Sequence, residues 1–117
     1  MSRVLIPLFS IFSLAGCLRT DCVNTIHQEL VSPDGSKKII IFSRDCGATT
    51  SGINTQASVL AKNDRLPNDG GNIFVVDKGT ASVSWKKDGG ILIMIESGAR
   101  VFKKESSVGD IIIEYRE

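Results

Sequence analysis

Short apolar runs of strand length recur from residue 25 onward, and turn-forming residues separate them. They occupy residues 25–31, 37–44, 55–60, 72–76, 81–86, 91–95, 100–104 and 110–115. Turn signals every 8 to 12 residues or so are typical of all-β sandwiches and barrels, and the many β-branched residues disfavour helix. We therefore predict that residues 25–117 form one all-β domain, a small antiparallel sandwich or barrel of about seven or eight strands.

Two turns and one strand support this prediction. Residues 32–35 read Ser-Pro-Asp-Gly and residues 88–90 read Asp-Gly-Gly; in such turns Pro presets φ and Gly accepts a positive φ. Ala81, Val83 and Trp85 alternate with polar residues, which predicts a strand with one buried face. Three other runs are apolar without alternation, at residues 39–41, 91–95 and 111–113. Such runs predict strands that are covered on both faces or that cross between layers.

Residues 1–16 have the pattern of a secretory signal. Arg3 supplies a positive charge, and residues 4–14 form an apolar segment that only Pro and Ser interrupt. As a helix this segment would cover about 16 Å, roughly half of a bilayer core of about 30 Å. The segment therefore predicts export rather than a transmembrane span.

The end of this segment, Leu-Ala-Gly-Cys at residues 14–17, resembles the lipobox of bacterial lipoproteins. The resemblance implies that residues 1–16 are removed and that Cys17 becomes a lipidated N-terminus. Two or three acyl chains on this residue would anchor the protein stably, whereas a single acyl chain gives only marginal membrane binding. Residues 17–24 would then form a tether. Because Leu18 and not Asp follows the cysteine, the resemblance implies an outer-membrane location facing the periplasm. The alternative is an ordinary signal followed by a structural cysteine.

The chain has three cysteines, an odd number for an exported protein. If Cys17 carries lipid, Cys22 and Cys46 remain in an oxidising compartment, and we predict that they form a disulfide. A metal site made of these two cysteines and His27 would lack a fourth ligand at zinc-like spacing. We expect neither a metal nor a cofactor.

Two long loops separate the early strands, at residues 45–54 and 61–71. The first is the more distinctive, because its glycines and hydroxyl residues form an adaptable, hydrogen-bonding surface next to Cys46. We predict an interaction loop composed of Arg44, Asp45, Gly47, Thr49 and Thr50. The alternative is a strand exit held by the disulfide, with hydroxyls that satisfy the turn backbone.

The second loop and the histidine invite other hypotheses. Residues 63–72 are rich in Asn and Asp, but they lack the ligand spacing and closing Glu of a calcium loop. His27 is the only histidine, so a small hydrolase would depend on it as base, yet no nucleophile elbow or cofactor fingerprint accompanies it. We therefore predict a protein that is not an enzyme. Paired lysines near strand ends are typical of solvated sheet edges, where charged side chains hinder pairing with other strands.

Charge gives no case for a nucleic-acid partner. Lys and Arg number 14 and Asp and Glu number 13, and removal of Arg3 with the signal leaves the charges equal. Nucleic-acid binding favours a basic face or stripe, so the expected partners are the membrane and another envelope component.

The segments at residues 32–35, 42–50, 55–60, 66–67 and 71–74 resemble a family of small bacterial exported proteins of unknown function. The Asp-Cys-Gly-Ala-Thr-Thr stretch at residues 45–50 is its most specific part, and the similarity extends over about residues 30–77. Residues 51–54 depart from the connection that is usual in the family. The resemblance implies export and carries over no activity.

A second segment, Ser-Gly-Ala-Arg at residues 97–100, is similar to the Ser-Gly loop with which membrane-bound lysozyme inhibitors enter the lysozyme cleft. Val101 stands where an aromatic residue is expected, and the downstream Thr-Lys-Gly element is missing.

Taken together, the lipobox and the lack of a catalytic constellation give the first hypothesis, a lipid-anchored, periplasm-facing binding module without catalysis. The alternative is a periplasmic inhibitor or immunity protein directed at a lysozyme or a toxin.

Overall fold

The computed structural model describes residues 22–47 and 54–117, and in these ranges it confirms the all-β prediction. Nine strands follow in chain order: β1 (Val23–Val31), β2 (Lys37–Asp45), β3 (Asn54–Ala61), β4 (Phe74–Val76), β5 (Ala81–Trp85), β6 (Ile91–Ile95), β7 (Val101–Lys104), β8 (Ser107–Val108) and β9 (Ile111–Arg116). The described ranges contain no helix that is long and apolar enough to cross a membrane. The sequence pattern missed β8, because two residues show no period.

The strands form two sheets that pack as a sandwich. The five-stranded sheet has the order β1-β2-β3-β4-β7, and the four-stranded sheet has the order β5-β6-β9-β8. Every pairing is antiparallel except β6 with β9, which run parallel with Ile91 opposite Ile113. This pair departs from the antiparallel prediction. It arises because the chain leaves the four-stranded sheet to form β7 in the other sheet and returns through β8, a crossover of the length that parallel strands require.

The core lies between the two sheets and is built from alternate residues. Ile39, Ile41, Ala57 and Val59 of β2 and β3 face isoleucines of β6 and β9, and all are buried. Ala81, Val83 and Trp85 pack against this cluster while the serines between them are exposed, which confirms the one-sided strand.

The continuous apolar runs differ from one another in burial. In β2, Ile40 and Phe42 point away from the core, yet they are only 1% and 0% exposed, so this strand is covered on both faces. In β6 and β9 the prediction of double cover is wrong, since Met94 is 43% and Ile112 is 66% exposed.

The loop between β3 and β4 bonds to the outer face of the five-stranded sheet, which explains this difference. Gly71 N donates to Gln56 Oε1 at 2.6 Å, and Asn72 N donates to Ser58 Oγ at 3.0 Å. The Asn72 side chain also accepts from Val59 N and donates to Val59 O, so it takes the place of a neighbouring strand at this residue. For this reason β4 begins at Phe74 and not at the predicted residue 72.

The β1–β2 hairpin defines two opposite ends of the sandwich. Its two strands pair from Val23↔Asp45 to Val31↔Lys38, so Cys22 and the turn at residues 32–36 lie at opposite ends. We name the end with Cys22, residues 45–47 and the turns at 77–80 and 96–100 the tether pole. The end with the turns at residues 32–36, 86–90 and 109–110 is the cleft pole.

Candidate functional site

At the tether pole, Cys22 and Cys46 form a disulfide, as the cysteine count predicts. It joins the start of β1 to the end of β2. Of the predicted interaction loop, Arg44, Asp45 and Gly47 lie in the described ranges, whereas Thr49 and Thr50 lie outside them. No described contact therefore bears on the two threonines.

The three described members of this loop are engaged by the protein itself. The Arg44 guanidinium donates to Asn24 Oδ1 at 2.9 Å and to Asn68 Oδ1 at 2.8 Å, and so links β1, β2 and the β3–β4 loop. Asp45 Oδ1 accepts from Gly47 N at 2.8 Å, which closes a turn with Gly47 at φ +75°. These contacts favour the structural alternative for this part of the loop.

His27 lies at a β-bulge in β1, where the register shifts between Ile26 and Gln28. Its Nε2 is 2.9 Å from Ser43 Oγ, so a hydroxyl and an imidazole do meet. Among the described residues no carboxylate hydrogen-bonds to the ring. Ser43 lies within a regular strand and not in a strained turn, so the pair lacks the orienting group and the exposed nucleophile that a triad needs.

The segment that resembles the inhibitor loop forms a tight turn at the tether pole. Ala99 N donates to Glu96 O at 3.0 Å, and Gly98 has φ +88°. The Arg100 guanidinium forms an ion pair with Asp77 and lies over the Phe102 ring, 5.3 Å from its centroid. The charge of Arg100 is thus already neutralised within the protein.

A concavity lies at the cleft pole. A half-open cleft of about 590 Å³ opens between the three turns of this pole. Ligand pockets typically fall between about 300 and 1,000 Å³. Its lining is mixed, with Trp85, Pro33 and two residues of β9 as the apolar side chains.

Trp85 is the aromatic element of the cleft. The residue ends β5, and its Nε1 donates to Leu30 O at 2.8 Å, which joins the two sheets. Because this bond satisfies the indole N–H, the half-buried ring is held in one orientation. The chain contains no other tryptophan.

Two carboxylates of the cleft are oriented by their own turns. Asp34 Oδ1 accepts from Ser32 Oγ, from Ser36 N and from Ser36 Oγ at 2.8 to 2.9 Å. These hydrogen bonds, the one from Ser36 N first, lower the pKa of Asp34 to about 2. Asp88 Oδ1 accepts from Gly90 N at 2.9 Å. In the described residues neither Oδ2 atom has a hydrogen-bond donor.

Lysines balance these acids. Lys86 Nζ donates to Glu114 Oε1 at 2.9 Å, and this contact raises the pKa of Lys86 while it lowers that of Glu114. Lys37 and Lys87 form no ion pair with any described residue, and neither does Asp110. The lining therefore carries three lysines and three aspartates, and its formal charges cancel.

The sequence interpretation did not find this cleft. It recognised the turns at residues 32–35 and 88–90 but assigned the lysines next to them to solvated edges. The two turns are more than fifty positions apart in the chain, so only the sandwich brings them together. The sequence signal that could have revealed the cleft is that both turns contain Asp-Gly with two lysines nearby.

No group of three or more His, Cys, Asp or Glu residues able to hold a metal ion occurs in residues 22–47 and 54–117.

No family model, curated protein or solved structure matches the chain.

Proposed function

We propose that this chain is a lipid-anchored binding module of a bacterial cell envelope, without catalytic activity, that faces the periplasm and binds its ligand in the cleft. The observation that carries the proposal is the position of the cleft at the pole opposite Cys22. A module on a short lipid tether needs its binding surface on the side away from the bilayer.

Distances support this orientation. Cys17 precedes Cys22 by five positions, so an extended tether spans at most about 18 Å. The nine residues of β1 extend about 30 Å from there. An acylated Cys17 would thus hold the tether pole near the bilayer and the cleft several nanometres into the periplasm.

The chemistry of the cleft supports binding rather than catalysis. His27 lies on β1 and does not line the cleft. The hydroxyls of Ser32 and Ser36 donate to Asp34, whose pKa of about 2 makes it too weak a base to activate them. Asp34 stays ionised because its pKa is held at about 2, so it acts as a hydrogen-bond acceptor and not as a general acid.

The alternative proposal, an inhibitor or immunity protein, has weaker geometric support. The turn at residues 96–100 is at the tether pole, within the reach of the tether from the bilayer, and Arg100 is paired with Asp77. A lysozyme would have to approach from the membrane side. Inhibition of chicken-type or phage-type lysozyme by micromolar protein, lost in Ser97→Ala, would revive this alternative.

Anchoring is tested by fractionating cells that make the full chain or its Cys17→Ser variant. We expect the parent chain to be acylated and to fractionate with the outer membrane, and we expect the variant to lose both properties. An acylated Cys17→Ser protein, or a parent chain found outside the membrane fractions, contradicts the anchoring.

Binding at the cleft is tested in the same cells with a photo-crosslinking residue. One version carries it at Lys87 on the cleft rim, and a matched version carries it at exposed Lys78 at the tether pole. We expect an adduct from position 87 alone. Equal adducts from both positions, or none from position 87, contradict the cleft as the binding surface.

A further inference from the structure

We propose that the ligand of the cleft is a neutral oligosaccharide. This inference rests on the proposed function, since it names the ligand class for the same site. It follows from three features of the cleft: its cancelled charge, its alternation of hydrogen-bond donors and acceptors, and the fixed indole of Trp85.

The balanced charge of the cleft lining disfavours strongly charged ligands. Three lysines and three aspartates line the cleft, and Glu114, which pairs with Lys86 at 2.9 Å, is itself balanced by an ion pair with Arg116. An acidic ligand would meet the aspartates and a basic ligand would meet the lysines, and like charges at close range disfavour both. A neutral ligand has no such cost.

The polar groups match hydroxyl-rich ligands. A sugar hydroxyl both donates and accepts, as any hydroxyl does. The free Oδ2 atoms of Asp34 and Asp88 can accept from it, and the ammonium groups of Lys37 and Lys87 can donate to it. Hydrogen bonds to charged partners are the stronger class. Because the turns already hold both aspartates, binding would order few side chains.

The aromatic ring completes the match. The face of an indole is electron-rich, and the C–H groups on one face of a pyranose ring carry a partial positive charge. Trp85 is held by its bond to Leu30 O, so the ring is in place before the ligand arrives. The volume of about 590 Å³ suits a few sugar units rather than a single one.

The experiment uses the full chain, purified in a polyoxyethylene detergent whose head group is not a sugar. N-acetylglucosamine tetramer and maltotetraose are the neutral probes, and one acidic and one basic tetrapeptide are the charged probes. Because the chain has one tryptophan, its fluorescence reports directly on the cleft. Calorimetry gives an independent readout.

We expect at least one tetrasaccharide at millimolar concentration to give a saturable change in Trp85 fluorescence. Lys87→Ala and Asp110→Ala are exposed turn substitutions, and each should weaken binding about tenfold through loss of a charge-assisted hydrogen bond. Lys78→Ala at the tether pole is the matched control and should leave affinity unchanged. Trp85→Phe keeps a ring face, so calorimetry should still detect binding.

The inference would be overturned by no response to either tetrasaccharide, or by a response that Lys87→Ala and Asp110→Ala leave intact. Tighter binding of a tetrapeptide than of both sugars would also overturn the ligand class, while the cleft would stand as the binding surface. Failure of the crosslinking test at position 87 contradicts the proposed function itself, so the two failures are separable.

Discussion

The two poles of the sandwich use their polar side chains in opposite ways. At the tether pole Arg44 is bound by Asn24 and Asn68, and Arg100 is bound by Asp77. At the cleft pole, Lys87 and Asp110 have no ion-pair partner among the described residues. A side chain whose hydrogen bonds are all made within the protein stabilises the fold, whereas one with spare capacity can bind a ligand.

This contrast changes which residues are the best candidates for ligand binding. The distinctive residues 44–50 drew attention to the tether pole, but their described side chains there are structural. The paired lysines near the turns had a routine explanation, yet Lys37, Lys86 and Lys87 border the cleft. We therefore expect substitutions of Arg44 and Arg100 to lower stability and substitutions of Lys87 and Asp110 to lower binding alone.

The disulfide should give the largest effect. Replacing both Cys22 and Cys46 by Ala should lower the free energy of unfolding by about 3 kcal/mol, because the unfolded chain regains the entropy of an open loop. Urea denaturation measures this loss. Reductant should shift the midpoint of the parent chain and leave the double variant unchanged. An unchanged parent midpoint would mean that the disulfide does not hold the tether pole.

The β3–β4 loop offers a matched glycine pair. A Cβ at Gly71 would lie 2.5 Å from Ala57 O, so Gly71→Ala should cost about 2–3 kcal/mol by forcing the loop off the sheet. A Cβ at Gly70 would lie 3.4 Å from Gln56 Oε1, so Gly70→Ala should be nearly neutral. Thermal or urea unfolding of the two variants compares them. Equal losses would contradict the close packing of this loop.

Arg44 tests the structural role of the predicted interaction loop. Arg44→Ala removes hydrogen bonds to Asn24 and Asn68 and should cost about 1–2 kcal/mol. Arg65→Ala is the control, because Arg65 is exposed and makes no ion pair in the described part of the chain, and it should stay within about 0.5 kcal/mol. If Arg44→Ala were neutral and abolished crosslinking, the loop would be functional after all.

Asp34 predicts the smallest effect, a change in how stability depends on pH in the acid range. Its folded pKa of about 2 lies below the ordinary value of 3.8, so the folded state favours the ionised form. The stability that Asp34 contributes is therefore fully present above pH 3.8 and is lost as the pH falls toward 2. Urea unfolding at several pH values should show a shallower acid slope for Asp34→Asn than for the parent. Equal acid slopes in the parent and in Asp34→Asn would contradict this role of Asp34.

Local chemistry explains which predictions succeeded. The turn at residues 32–35 follows from Pro and Gly, and Gly35 indeed has φ +77°. The one-sided burial of β5 follows from its period of two. The cysteine count led to the Cys22–Cys46 pair. Each of these depends on neighbouring residues or on a count.

The predictions that failed depended on distant residues. The exposure of Met94 and Ile112 depends on which sheet face the β3–β4 loop covers, and an apolar run does not carry that information. The parallel pairing of β6 with β9 depends on the path of β7 through the other sheet. The cleft depends on the parallel β6–β9 pair, which brings residues 110–112 beside the turn at residues 86–90.

The order of apolar and turn residues thus specifies an all-β domain, eight of the nine described strands to within a few residues, and the export and lipidation signals that we propose. These properties are local, because backbone preferences and side-chain period act over a few positions. The packing of the two sheets decides the rest. It brings the turns at residues 32–36 and 86–90 to one end, opposite Cys22, and it leaves the lysines and aspartates around Trp85 with hydrogen-bonding capacity that no described neighbour uses.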